Sequence, residues 1–141
     1  MPWFAMGVYY DDRQNFVWPI FRDYQIVCNG HTRGTQVGVD QILDQIRYDD
    51  FLIAKSFSPK TGICLYGLGK VIGMNTYHYP IPKGYDNQCI RVNWIIRGDD
   101  NDYVVNFPNL VGGNYSQQVI QLNFQAEQAI RDWLLGIGIR V

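Results

Sequence analysis

Apolar positions along the chain fall into short runs of two different periods, separated by polar, glycine- and proline-rich stretches. The run WFAMGVYY, Trp3 to Tyr10, is almost unbroken and aromatic, which predicts a buried first strand. DDRQNFVWPIFRDYQ follows, with Asp11 or Asp12 as a helix cap. Phe16, Ile20 and Phe21 share one helical face there, and Pro19 limits the helix length. IVCN, Ile26 to Asn29, predicts a second short strand that runs into the Gly- and Thr-rich loop GHTRGTQVG. In VDQILDQIRYDDF the residues Val39, Ile42, Leu43 and Ile46 have helical spacing, with Asp40 near the N-terminal end. Asp49 and Asp50 end that helix and lead into FLIAKS, a strand of the fully buried kind.

SFSPKTG then turns the chain, and ICLYGLGKVIGM returns as a strand with Gly67 and Gly69 at bulge or close-approach positions. After the tyrosine- and proline-rich excursion MNTYHYPIPKGYDNQ, CIRVNWII alternates as a strand. RGDDND reads as a hairpin turn, and YVVNF as its returning partner. PNLVGGNYSQQ is a loop. VIQLNFQAEQAIRDWLLGIGI predicts a helix from near Asn123, with Phe124, Ala126, Ile130, Trp133 and Leu134 as its buried stripe and Gly136 as its stop. Hairpin-rich strands with helices between and after them predict an α+β fold, a curled, partly closed and mainly antiparallel β-barrel with flanking helices. With no repeat and no linker, residues 1–141 read as a single domain.

Composition narrows the function. Of the 141 residues 47% are hydrophobic and only 18% charged, and the formal net charge is -1. That balance excludes a broad basic footprint, so any nucleic-acid contact must come from a local patch or pocket. Aromatic residues make up 15%, including ten tyrosines and four tryptophans, enough for a stacking surface as well as a core. The three cysteines, Cys28, Cys64 and Cys89, form no CxxC pair. That odd, scattered set predicts reduced thiols, with Cys64 buried in its apolar run. No apolar stretch reaches membrane length, and the N-terminus lacks a basic region before an apolar core. The expectation is a soluble, cytoplasmic protein that binds no membrane.

The motifs that suggest enzyme chemistry fail on context. Gly67, Gly69 and Gly73 in YGLGKVIG mimic a dinucleotide fingerprint, yet no helix starts there to face a pyrophosphate, and GKV lacks the hydroxyl of a phosphate loop. His31 and His78 have no close cysteine or carboxylate array, so no metal site and no cofactor is expected. The pairs Asp11-Asp12, Asp49-Asp50 and Asp99-Asp100 suit caps and turns. Asp50 and Lys55, the nearest approach to a nuclease pair, share one strand at odd spacing and so point to opposite faces. No catalytic residue is assigned.

The aromatics say more. Trp133 reads as core, and Trp94, in alternation with Val92 and Ile96, as core or a pocket floor. Trp18 stands beside Pro19 in a short polar segment, Phe57 lies between two serines in a loop, and His31 sits among glycines. Gathered at one end of a sheet, such residues either sandwich a flat ring or merely cover the open end.

Taken in order, ILDQIRYDDFLIAKSFSPKTGICLYGLGKVIG and CIRVNWI, with WFAMGVYY as first strand, resemble the PUA-like superfamily. The pattern is closest to its EVE, ASCH and YTH group, including the EVE-like modules that precede motor domains in modification-dependent restriction systems. The likeness runs from Trp3 to Ile96 and more loosely over Tyr103 to Leu135. It implies a curled barrel whose pocket takes one base out of its stack. Ser56, Phe57 and Ser58 would line that pocket, opposite Tyr9, Trp18, Asn29 and His31, while Arg33, Lys55 and Lys60 would contact flanking phosphates. The sequence departs from the EVE pattern in its early aromatic pair, here Trp3-Phe4, and in Ser56-Phe57-Ser58.

The function these observations imply is a non-enzymatic recognition module for a modified or flipped base in DNA or RNA, methylated bases included. It would serve as the specificity domain of a defence or restriction protein, fused to or associated with a motor or nuclease. A small-molecule or nucleotide-derivative sensor on the same fold is the rival that suits the neutral charge. A small metal-dependent nuclease is the third reading and lacks a constellation.

Overall fold

The computed structural model describes residues 2–10, 13–29, 34–74 and 88–141. In chain order the elements are β1 (Trp3–Gly7), β2 (Tyr9–Tyr10), β3 (Asn15–Phe16), α1 (Trp18–Tyr24), β4 (Ile26–Val27) and α2 (Val37–Leu43). They are followed by β5 (Phe51–Ser58), β6 (Gly62–Met74), β7 (Ile90–Arg97), β8 (Val105–Phe107), β9 (Val119–Gln121) and α3 (Phe124–Gly136). One sheet runs β4-β7-β6-β5-β1-β9, with β8 added beside β6, and β2 and β3 form a separate hairpin. The β1–β5 pair is parallel and the other pairs are antiparallel. This is the α+β, mainly antiparallel architecture expected, bent by register shifts at Ala54/Lys55, Leu68/Gly69 and Val71/Gly73.

Both faces of the sheet are covered, which explains the unbroken apolar run of β1. Phe4 and Met6 join one buried cluster with Trp18, Phe21, Leu43, Ile46, Tyr66 and Val92. Trp3 and Ala5, pointing the other way, join Ile53, Leu65 and Leu68 beneath the Ala126, Ile130 and Leu134 face of α3. Asn123 caps that helix, its Oδ1 accepting from the Ala126 amide at 2.8 Å. Two members of the expected stripe are displaced. Phe124 is 78% exposed, because it lies about 200° around the helix from Ala126. Trp133 is half-buried and packs edge-on against Phe107.

Four further expectations are corrected. The α1 helix does not begin before Trp18: Tyr9 and Tyr10 pair with Phe16 and Asn15, while Asp11 and Asp12 lie outside the described residues. Pro19 therefore sits in the first turn, where its missing N–H costs nothing, and opens the helix instead of limiting it. YVVNF is not a hairpin partner of β7. Half of β6, Gly67–Met74, is taken by β7, and Ile63–Leu65 remains for β8. The handover is marked by Gly98 N donating to Tyr66 O and Val104 N to Leu65 O, both at 2.8 Å. Ile96 leaves the Val92–Trp94 cluster for the opposite face, following the irregularity at Leu68/Gly69.

The fourth concerns the thiols. Cys28 and Cys89 form a disulfide across a separation of 61 residues, while Cys64 is buried and free. Ile26 pairs with Arg91 and Val27 with Ile90, so the next antiparallel rung brings residue 28 opposite residue 89. With the bridge in place, reduced cysteines no longer argue for a cytosolic setting. Among the described residues no helix is long and apolar enough to cross a membrane.

Candidate functional site

The polar end of the β5–β6 hairpin and the small β2–β3 hairpin come together over one face of the sheet. Ser56 lies opposite Cys64 and Ser58 opposite Gly62. The Ser56 and Tyr66 hydroxyls share a hydrogen bond of 3.2 Å. Ser58 Oγ and Thr61 Oγ1 lie 2.7 Å apart, and the Thr61 amide donates to Ser58 Oγ at 3.2 Å, which closes the turn.

Aromatic rings line the rest. Tyr9 and Phe16, paired across β2 and β3, have centroids 5.0 Å apart, and Phe16 stands 5.5 Å from Tyr66. Tyr66 continues the chain of rings to Trp18 at 6.3 Å, and Trp18 meets Trp94 edge-on at 5.0 Å. On its other flank Tyr66 meets the half-exposed Tyr103 at 6.4 Å. Arg13 sits at the rim, its guanidinium 5.3 Å from the Tyr9 ring centre and its Nη2 donating to the Phe57 carbonyl.

Burial pushes the Tyr66 phenol well above the ordinary tyrosine range. The Ser56 hydrogen bond opposes that rise and neighbouring Tyr9 adds to it. The group therefore stays a protonated hydroxyl, able both to donate and to accept. Trp18 is fully buried and its indole N–H donates to Gly98 O at 2.9 Å, while the Trp94 N–H donates to Phe21 O at 3.1 Å. With both N–H groups spent on the main chain, only ring surface from these two tryptophans serves the site.

The residues singled out from sequence divide into groups. Tyr9 and Ser56 meet at Tyr66 with Trp18 behind them in the core, and Ser58 lies further along β5 in the turn with Thr61. Phe57 points to the opposite face, where its ring meets Tyr115 at 6.2 Å, because neighbours along a strand alternate. Only its carbonyl faces the Arg13 rim. Asn29 is fully buried beyond β4, and its Nδ2 and Oδ1 have no hydrogen-bond partner among the described residues. His31 and Arg33 fall outside the described residues. Lys60 is exposed on the hairpin turn.

Lys55, expected against phosphate, has a different occupation. It is 2% exposed, and its Nζ donates to Tyr115 O at 2.7 Å and Gln117 O at 2.5 Å. Burial lowers its pKa from 10.5 to about 8. The ammonium braces the 115–117 loop from inside, away from the surface.

Phe16, Tyr66 and Arg13 were missed. Tyr66 could have been found from its alternation with Cys64 on the returning strand. Arg13 and Phe16 carry no such signal, because they depend on a hairpin whose partner residues are not adjacent in sequence. Among the described residues no group of three or more His, Cys, Asp or Glu could hold a metal ion.

With this geometry in hand, comparison with solved structures is informative. The chain superposes on the YTH domain of Mmi1 in complex with RNA with a TM-score of 0.57 and 11% identity, over 99% of this chain and 82% of that one. A second structure of the Mmi1 YTH domain gives 0.54 and 9% identity, over 97% and 99% of the two chains. The fold is of the YTH type. The group named from sequence includes YTH domains, and these two share this architecture. No protein-family model and no curated protein sequence matches the chain. At such low identity the YTH likeness describes the arrangement of strands and helices, and the side chains of the site must speak for themselves.

Proposed function

We propose that the protein is a non-enzymatic nucleic-acid recognition module that takes a modified or flipped base against the aromatic cluster. The observation that carries this reading is the convergence of Tyr9, Phe16 and Tyr66 with the Ser56 hydroxyl beneath the Arg13 rim. Rings at these separations offer stacking faces, the hydroxyls read a base edge, and a guanidinium at the rim suits a flanking phosphate. Extruding a base costs a few kcal/mol, and stacking returns about 1–3 kcal/mol per base. A methyl group adds buried apolar area to that return. The RNA complex of the Mmi1 YTH domain supports the same reading by likeness of fold.

In this proposal Tyr9, Trp18, Ser56 and Ser58 form or back the pocket, and Asn29 supplies a buried amide at its margin. Lys60 contacts the phosphate backbone. The sequence likeness to EVE-like modules that precede motor domains supports a place as the specificity part of a larger defence or restriction protein.

The test is anisotropy of labelled oligonucleotides carrying methylated or unmodified bases, at low salt, with wild type and Phe16→Ala. Tighter binding of a modified strand that is lost in Phe16→Ala is the expected outcome. Absence of binding to every strand at low salt would overturn the reading. Binding of free nucleosides with little salt dependence would favour the sensor, which the net charge of -1 suits.

A further inference from the structure

Two side-chain hydrogen bonds tie the β2–β3 hairpin that carries Tyr9 and Phe16 to main-chain carbonyls of the body, beside the ring contacts of Tyr10 with Phe21 and of Phe16 with Tyr66. At its turn Arg13 donates to the Phe57 carbonyl. At its base the Tyr10 hydroxyl donates to the Cys28 carbonyl, and both residues are buried. Tyr10 is the next residue after Tyr9 and pairs with Asn15, as Tyr9 pairs with Phe16. The Tyr10 phenol therefore couples the position of Cys28 to the aromatic wall of the site.

Cys28 is buried in the core just past the edge of the sheet. It follows β4, a strand of only two residues at the edge of the sheet, whose ladder partner among the described residues is β7. On its other side is Asn29, whose buried amide makes no hydrogen bond among the described residues. The bond to Cys89 is what fastens this edge covalently to β7.

We propose that the Cys28–Cys89 disulfide is a redox-controlled anchor for the aromatic hairpin, so that oxidation sets, and reduction relaxes, the base-binding site. This rests on the function proposed above as far as the ligand is concerned. The reductant is a dithiol. Its thiolate attacks one sulfur and displaces the other, its second thiol resolves the mixed disulfide, and the dithiol leaves as a cyclic disulfide. The protein gains two electrons and two protons and carries Cys28 and Cys89 as thiols. Released from β7, the two-residue β4 loses its covalent hold, the Cys28 carbonyl moves away from Tyr10, and the Tyr9–Phe16 rung loosens.

The experiment compares the oxidised protein, the dithiol-reduced protein and Cys28→Ser/Cys89→Ser, together with Tyr10→Phe. Thiol titration of the unfolded oxidised chain should find Cys64 alone, and finding all three cysteines free would overturn the proposal. Amide hydrogen exchange then reads the anchor without any ligand. Exchange over 9–16 should accelerate about tenfold on reduction and in the serine variant, while α3 keeps its protection, in line with loss of one buried hydrogen bond. In Tyr10→Phe that segment should exchange fast in both redox states. Equal protection before and after reduction would overturn the anchor. Oligonucleotide affinity gives the functional readout: reduction should weaken the preference for the modified strand about tenfold and leave the salt slope unchanged. If no oligonucleotide binds the oxidised protein, the recognition reading fails while the exchange result still decides the anchor. If binding is tight and unaffected by reduction, the redox control fails and the recognition reading stands.

Discussion

The Trp18 indole lies directly against Gly67: a β-carbon at position 67 would stand 2.4 Å from Trp18 Cη2 and 3.1 Å from Trp94 Cε3. The glycine therefore seats the wall of aromatic rings on β6, and its absent side chain is what admits them. Gly67→Ala should lose about 1–3 kcal/mol in urea unfolding, the range for overfilling a packed core. In a Trp18→Phe background, where the ring is smaller, the same substitution should cost less, and the double-mutant cycle measures the coupling.

Lys55 gives the fold a dependence on alkaline pH. Folded, it releases its proton at about 8, and unfolded at about 10.5. Between these values the unfolded chain binds more protons, so stability rises with pH across that window, by up to about 3 kcal/mol if the shift is fully expressed. Unfolding free energies of wild type minus Lys55→Met, measured from pH about 7 to 10, should isolate this rise. Near neutral pH, Lys55→Met leaves the Tyr115 and Gln117 carbonyls without their donor, at a cost of about 1–3 kcal/mol for each that stays buried.

Asn123 both caps α3 and donates to the Tyr115 hydroxyl at 2.8 Å. Asn123→Ala should lower stability by about 1–2 kcal/mol, and Asn123→Asp, which keeps a capping oxygen, by less. Thermal or urea unfolding of the two variants checks the order.

Pocket and phosphate contributions to oligonucleotide binding should separate by salt. Tyr66→Phe removes the hydroxyl bonded to Ser56 and should weaken a modified strand about three- to tenfold at unchanged salt slope. Lys60→Ala should leave base preference alone and reduce the slope of log affinity against log salt by about 0.7 for a single strand.

The parts of the fold that were legible in the sequence are those set by neighbours in the chain. The β5–β6 hairpin follows from two apolar runs and the SFSPKTG turn, and the start of α3 from Asn123. Which strand lies beside which is decided by residues far apart. That is why the parallel β1–β5 pair, β8 along β6 and the Cys28–Cys89 bridge left no local trace. In the site, the serines stood out because polar residues ended an apolar run. Tyr66 stands among glycines of an apolar run that say nothing of what its hydroxyl meets, and the burial of Lys55 depends on carbonyls about sixty residues further along the chain.

The place of β1 between β5 and β9 carries a cost that falls on protein synthesis. Val119 is roughly 115 residues behind Trp3, so at about 5–20 residues per second a ribosome needs about 6–23 s to make the second neighbour of a strand it made first. For that interval WFAMG has one open edge at best, in a chain still growing. Slowed translation should therefore raise aggregation of this protein, and a holdase that shields the first strand should relieve it.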